Sequence, residues 1–218
     1  MSISHRNRTS TFCIMYALYL YFLGLSFRST SKAIEPFEER SHVAVWKWVQ
    51  RFRPNRIYVR KRVAAFVIDE TLIQIGNDVA WLWIAIEPVN RTVLGAYISR
   101  ERTMLIAEAF LKTLVKVYGK HPVYSDGGTW YPQACNFLGL VHRLHSPFEK
   151  SIIERVIQYF KDRTECFDDY YPCIKVRCNL SHVYNWIRLF VFMYDRTKRH
   201  KSSTVSYTHL TLPTTSRV

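Results

Sequence analysis

The sequence has no C-x-x-C pair, although it contains five cysteines. An odd number without the spacing of a small disulfide scaffold excludes a disulfide framework and fits a reducing cytoplasm. Cys166, Cys173, Cys178 and His182 are separated by six, four and three residues. Those gaps lack the tight knuckle of a structural zinc site, so packed thiols are the default reading. Acidic residues are scarce: 17 Asp and Glu face 31 Lys and Arg, a formal net charge of +14. A convincing membrane span is missing too. The run Thr11–Phe27 follows His5, Arg6 and Arg8 and imitates a signal peptide. It is only 17 residues long, rich in Tyr, and followed by no small-x-small cleavage site, whereas a bilayer asks for about 20 apolar residues. A packed helix ending at Gly24 is the better expectation, and no membrane partner is expected.

What is present is enough apolar residue for a packed core, 48% of 218 positions, and a concentration of basic residues at one end. Residues 1–62 hold twelve Lys or Arg against Glu35, Glu38 and Glu39. Such a segment seeks a polyanion, and nucleic acid is the commonest, because neutralised phosphates release condensed counterions. Ser29 or Thr30 can cap a short helix that Pro36 breaks, and Ser41 can cap a second one carrying Val43, Trp46 and Val49. Two short helices joined by a turn suggest a helix-turn-helix. Its second helix would offer Ser41, His42, Ala44, Val45, Lys47 and Arg51 to double-stranded DNA, with Trp46 in the core. A plain helical hairpin is the alternative. Residues 54–62 read as a basic linker.

From Val63 the pattern becomes that of strands, over Val63–Ile75, Val79–Ile86 and Val93–Ser99, with turns at Gly76-Asn77 and Val89–Arg91. Alternation in the first strand sets Ala65, Val67 and Asp69 on one face, and Phe66, Ile68 and Glu70 on the other. A carboxylate on a core face is costly unless paired, protonated or holding a metal ion, which makes Asp69 the first residue to suspect. An edge strand with a solvated acidic face is the competing reading. A helix over Met104–Tyr118, closed by Gly119, leads to a short strand in "HPVYSDGG" that ends on Asp126. Gly127 and Gly128 let the chain turn away there. A further helix and strand over Tyr131–Leu144 precede a long helix over Pro147–Phe167. In that helix Glu154 and Lys161 are two turns apart and project from one face.

Three antiparallel strands with an acid on the first, a helix, a strand ending in an acid, and a helix carrying a glutamate form the outline of an α/β, ribonuclease-H-like core. In "SHVAVWKWVQRF", "FVIDETLIQIG", "WLWIAIEPVNRTVLGAYIS", "VYSDGGTWY" and "IIERVIQYFKDRT" the chain resembles the DDE transposases of insertion sequences. The likeness is to the insertion-sequence-six group, with its helix-turn-helix and integrase-like core, and it covers most of 28–201. The resemblance implies that Asp69, Asp126 and Glu154 hold two Mg²⁺ or Mn²⁺ ions and that Lys161 sits on a terminal phosphate. It further implies cleavage of insertion-sequence ends and their transfer to target DNA, by a homodimer or higher oligomer in the cytoplasm, associated with the nucleoid. Only 27 residues lie between Asp126 and Glu154, fewer than in many members, which leaves Glu149 and Glu165 as alternatives for the third acid. A catalytically inactive, transposase-derived DNA-binding protein is the alternative function.

The expected organisation is a helical DNA-binding region at 1–53, the linker at 54–62, and a catalytic core at 63–201. The Thr- and Ser-rich stretch 202–218 reads as a non-native tail, with no period of helix or strand.

Overall fold

Alternating apolar residues make β1 (Phe66–Ile75) a strand that is covered on both faces rather than one. The computed structural model describes residues 9–52, 62–75, 78–165 and 180–204. The expected turn at Gly76-Asn77, all but the last residue of the basic linker, Cys166, Cys173, Cys178 and the tail from 205 onward lie outside the described residues. β1 pairs antiparallel with β2 (Asp78–Ile86), in a register that sets Asp69 opposite Ile84 and Glu70 opposite Trp83. β2 in turn pairs antiparallel with β3 (Val93–Ser99). The helix preceding the next strand, α4, spans Met104–Tyr118; the Thr103 hydroxyl accepts from Ile106 N–H at its start. Gly119, at φ +90°, closes it, a positive-φ conformation that favours glycine. β4 (Val123–Ser125) then returns beside β1 in parallel, and β5 (His142–Leu144) adds in parallel to β4 after α5 (Trp130–Leu138).

The resulting strand order is β3-β2-β1-β4-β5. Three antiparallel strands followed by two parallel ones, with β1 central and helices on both faces, make a ribonuclease-H-like fold. One face carries Phe66, Ile68, Trp83 and Val123 against Phe110, Leu111 and Leu114 of α4 and Tyr131 and Ala134 of α5. The other carries Val67, Ile73, Leu82 and Ile84 against α6 (Pro147–Glu165) and α7 (Leu180–Thr204), through Ile153, Val156, Phe160, Trp186 and Phe190. Each such fully buried side chain contributes about 1.5–3 kcal/mol.

Three N-terminal helices share that second interior: α1 (Thr11–Phe22), α2 (Phe27–Ile34) and α3 (His42–Arg51). Ile14, Leu18, Tyr21 and Phe22 of α1 and Val49 of α3 belong to the same apolar cluster as the α6 and α7 residues. The α2 cap is Ser26, whose hydroxyl accepts from Ser29 N–H, so the helix starts three residues before the expected Ser29. Ser41 caps α3 by position, without a side-chain hydrogen bond. α3 also differs from expectation in which side it buries. Val45 and Val49, one turn apart, face inward, while Val43 is exposed and Trp46 is half-buried with its ring edge on His182. Val45 packs with Cys13, Ala17 and Ile34. It is fully buried and cannot touch a ligand, which corrects its place among the residues expected to contact DNA. Among the described residues no helix is long and apolar enough to cross a membrane.

Candidate active site

The period of a strand sends Asp69 and Glu70 to opposite faces of the sheet, and the two carboxylates meet different fates. Glu70 enters the α4–α5 side, where its side chain is fully buried. There Arg102 Nε donates to its Oε1 at 2.6 Å, and the Tyr131 hydroxyl donates to Oε2. Burial pushes the Glu70 carboxyl up, against the opposing pull of the Tyr131 and Arg102 donors. The cost of a buried acid is therefore offset by an ion pair and a hydrogen bond.

Asp69 lies on the α6 side and, among the described residues, has no cationic partner of that kind. Its Oδ1 accepts the Glu70 backbone N–H at 2.8 Å. Burial is the largest influence on its carboxyl, and the negative charges of Glu70, Asp126 and Glu154 act in the same direction. Together they outweigh the backbone donor and push it from 3.8 up to about 7. Acids from the end of β4 and from α6 thus act on the same carboxyl of β1.

Asp126 is the first residue beyond β4. Gly127, at φ +90°, turns the chain, and Asp126 Oδ1 accepts Gly128 N–H at 3.0 Å, which fixes the carboxylate at the strand end. α6 contributes a polar stripe. Ser151, Glu154, Arg155, Gln158 and Lys161 line, with Asp69 and Thr71, an open groove of about 550 Å³. Glu154 and Lys161 thus face one groove, as two turns of helix require. The Lys150 ammonium stands 3.9 Å from Glu154, a solvated pair one turn apart that counts for little.

The alternatives for the third acid separate. Glu149 is taken up by the start of its own helix, where its Oε2 accepts from the Ser146 backbone N–H at 2.9 Å and from the Ser146 hydroxyl. This is a capping arrangement, and the Ser146 hydrogen bond holds the Glu149 carboxyl below the usual range. The side chain of Glu165 lies outside the described residues. Of the two described glutamates, Glu154 rather than Glu149 acts on Asp69.

Sequence reasoning overlooked three groups of residues around these acids. Ser151, Arg155 and Gln158 belong to the groove and could have been found by extending the Glu154–Lys161 face at helical spacing. His145 follows β5, and its Nε2 is 3.0 Å from the Tyr124 carbonyl. Burial lowers its pKa, in opposition to that hydrogen bond and to the charges of Asp126 and Glu149. The Glu70–Arg102–Tyr131 cluster carried no signal beyond Glu70 itself. On α3, Ser41, His42, Lys47 and Arg51 are exposed and Ala44 is half-buried.

Oxygen-only, anionic donors suit a hard divalent cation, and mutual repulsion at Asp69 is what such an ion relieves. In chemistry the set fits. In geometry it is open: among the described residues no three His, Cys, Asp or Glu are gathered closely enough to ligate one ion.

No family model matches the chain. Over 199 residues it is 31% identical to an uncharacterized protein of Methanocaldococcus jannaschii, covering 88% of this chain and 90% of that one. The chain belongs to that protein's family. Over 149 residues the chain is also 29% identical to the transposase for insertion sequence-like element IS431mec of Staphylococcus aureus. A similar match, 29% over 131 residues, joins it to the transposase for insertion sequence element IS257 in transposon Tn4003. The chain spans 58% of the first staphylococcal transposase and 50% of the second. Among solved structures, the catalytic core domain of BIV integrase aligns over 66% of this chain and all of its own, at 17% identity and TM-score 0.45. A simian T-cell lymphotropic virus intasome chain aligns over 93% of this chain and 77% of its own, at 15% identity and TM-score 0.43.

Proposed function

We propose that this family member is a DNA transposase of the DDE type, catalysing divalent-metal-dependent cleavage and strand transfer of insertion-sequence ends. The observation that carries the reading is the groove that Asp69 shares with Glu154 and Lys161 beside the central strand, with Asp126 held at the end of the adjoining strand. Transposase relatives supply the reaction class.

Asp69, Asp126 and Glu154 would hold the ions, which when bound supply an activated attacking oxygen and a stabilised leaving oxygen for in-line phosphodiester displacement. The remaining roles belong to side chains. Lys161, in the same groove as Asp69 and Glu154, holds a terminal phosphate as a point charge. Arg155 and Gln158 line that groove too, where a phosphate backbone would lie. The exposed Ser41, His42, Lys47 and Arg51 of α3 contact the duplex, with Ala44 at the margin, as a helix-turn-helix would. Two DNA ends have to be brought together, so the working form is a dimer or larger, in the cytoplasm at the nucleoid. A region at 1–53, a linker at 54–62, a core at 63–201 and a foreign tail at 202–218 describe the chain in this reading. The structured helix α7 continues to Thr204.

The second reading, an inactive transposase-derived DNA-binding protein, is favoured by the openness of the carboxylate set. Incubating labelled terminal-repeat DNA ends with wild type and Asp126→Asn, in Mg²⁺ and in Mn²⁺, separates the two. Strand transfer by wild type that falls to background in Asp126→Asn, with DNA affinity retained, is the expected result. Equal activity in both proteins removes Asp126 from the site, and no activity in either favours the inactive reading.

A further inference from the structure

The buried cluster on the far side of the sheet touches both halves of the acidic site. Glu70 is the chain neighbour of Asp69 on the central strand. Its partner Arg102 lies between two indole rings, its guanidinium carbon 4.7 Å from the centre of Trp81 and 4.2 Å from that of Trp130. Trp130 opens α5, four residues after Asp126. Its ring lies so close over Gly128 that a Cβ there would come within 2.6 Å of it, and Gly128 is the residue whose N–H Asp126 grips. Trp130 Nε1 is buried with no hydrogen-bond partner among the described residues, and the ring packs by its faces on Arg102 and the glycine turn. Tyr131, the next residue, returns to Glu70 by its hydroxyl. The segment Ser99–Arg102 is anchored as well, since Trp83 Nε1 donates to Ser99 Oγ at 2.8 Å and Ser99 Oγ donates to the Glu101 carbonyl at 2.6 Å.

We propose that Glu70, Arg102 and Trp130 are positioning residues, which fix the Asp126 turn against β1 and so set the distance at which Asp126 meets Asp69. This deepens the proposed function and rests on it. An ammonium cannot replace Arg102: the planar guanidinium stacks on two rings while its edge pairs with a carboxylate, and a lysine gives up both geometries. The cluster acts on the site without touching substrate, as outer partners of metal-ligating carboxylates do.

The test is the Mn²⁺ dissociation constant of the full chain without DNA, read from the free-ion electron paramagnetic resonance signal well below the melting temperature of each variant. Arg102→Lys and Trp130→Ala are each expected to weaken Mn²⁺ binding about tenfold, the size of effect that outer-shell changes have. Trp130→Phe, which keeps a ring for Arg102 to stack on, should stay within about threefold of wild type. A loss of general stability would lower melting temperatures but would not move the affinity of the folded protein. Should Arg102→Lys or Trp130→Ala fail to fold, Trp81→Leu decides: it removes the other ring on which Arg102 stacks and leaves the Asp126 turn unmutated, and it too should weaken binding. Folded variants with wild-type affinity overturn the positioning role while leaving the proposed function intact. A wild-type chain that binds no Mn²⁺ overturns both.

Discussion

Asp69→Asn should make the metal-free protein more stable at pH 8, and the structure gives the size of the gain. The Asp69 carboxyl is raised from 3.8 to about 7. In an acid raised on folding, the native state binds its proton more tightly than the unfolded chain does. Below 3.8 both states are protonated and nothing is lost. Between 3.8 and 7 the unfolded chain has ionised and the native state has not, so stability falls by up to about 1.4 kcal/mol per pH unit. Above about 7 the loss is complete and flat, at an upper bound of about 4 kcal/mol for a shift of roughly three units. The groove is open to water, so half of this, about 2 kcal/mol, is the working figure. Asn resembles the protonated acid and can keep the 2.8 Å bond from Glu70 N–H, so it escapes the loss. For a chain of this length about 2 kcal/mol is about 4–8 °C in melting temperature. The assay is thermal unfolding of both proteins in EDTA from pH 4 to pH 8. The advantage of Asn should be near zero at pH 4 and reach its plateau just above pH 7. Added Mn²⁺ should then stabilise wild type and not the variant. An Asn variant with no greater advantage at pH 8 than at pH 4 would refute the account of Asp69 as a buried carboxylate strained by its acidic neighbours.

Four other outcomes are expected. Lys47→Ala and Arg51→Ala should each lower the dependence of DNA affinity on log salt by about one contact's worth, measured by fluorescence anisotropy. Val45→Ala should leave that slope unchanged while costing about 2 kcal/mol in urea unfolding. Gly95→Ala should destabilise by about 1–3 kcal/mol, because the new Cβ would stand 2.7 Å from Leu114 Cδ2 and 3.3 Å from Phe110 Cε2; a neutral result in a thermal melt would show that α4 yields more readily than its packing implies. Lys161→Ala should weaken strand transfer of labelled ends while leaving Mn²⁺ affinity unchanged, since an ammonium is no metal ligand.

The sheet and its flanking helices were legible because each strong periodic segment agrees with its boundary residue. α4 runs from a Thr cap to a positive-φ Gly, and β1 and β2, both rich in apolar residues, pair over nine residues of unbroken register. The acids were legible for a different reason: a carboxylate inside an apolar run is conspicuous wherever it points. What alternation could not tell was which face of β1 would be covered. Both are, so Glu70 is as buried as any core residue, and its partner comes from a loop 32 positions away. No local pattern reports such a pairing. On α3 the sequence offers several apolar residues, and helical spacing fits Val43–Trp46–Val49 as readily as Val45–Val49. The choice between them is made by α1 and α2, whose Ala17 and Ile34 meet Val45. Glu149 is a third case. Its distance from Asp126 competes with that of Glu154 on the page, and only the Ser146 cap withdraws it.

Consecutive carboxylates on one central strand need opposite treatment if both are to persist. Glu70 is charged where water is excluded, so it must be fully partnered, and Arg102 with Tyr131 does this at the expense of ordering two aromatic rings and a loop. Asp69 is useful only if it is not partnered in that way, because an arginine beside it would satisfy the very charge that a divalent ion is meant to satisfy. A two-residue side-chain period lets both conditions hold within one dipeptide, with the sheet as the partition between them. Exchanging the two residues, as Asp69→Glu combined with Glu70→Asp, keeps composition and charge and yet should fail on both sides. The shorter acid would fall short of Arg102 and Tyr131, while the longer one would crowd the groove beside Thr71. The doubly exchanged chain should melt below wild type at every pH and show no gain on adding Mn²⁺. Melting at the wild-type temperature would mean that the partition between the two faces is far looser than the hydrogen bonds around Glu70 imply.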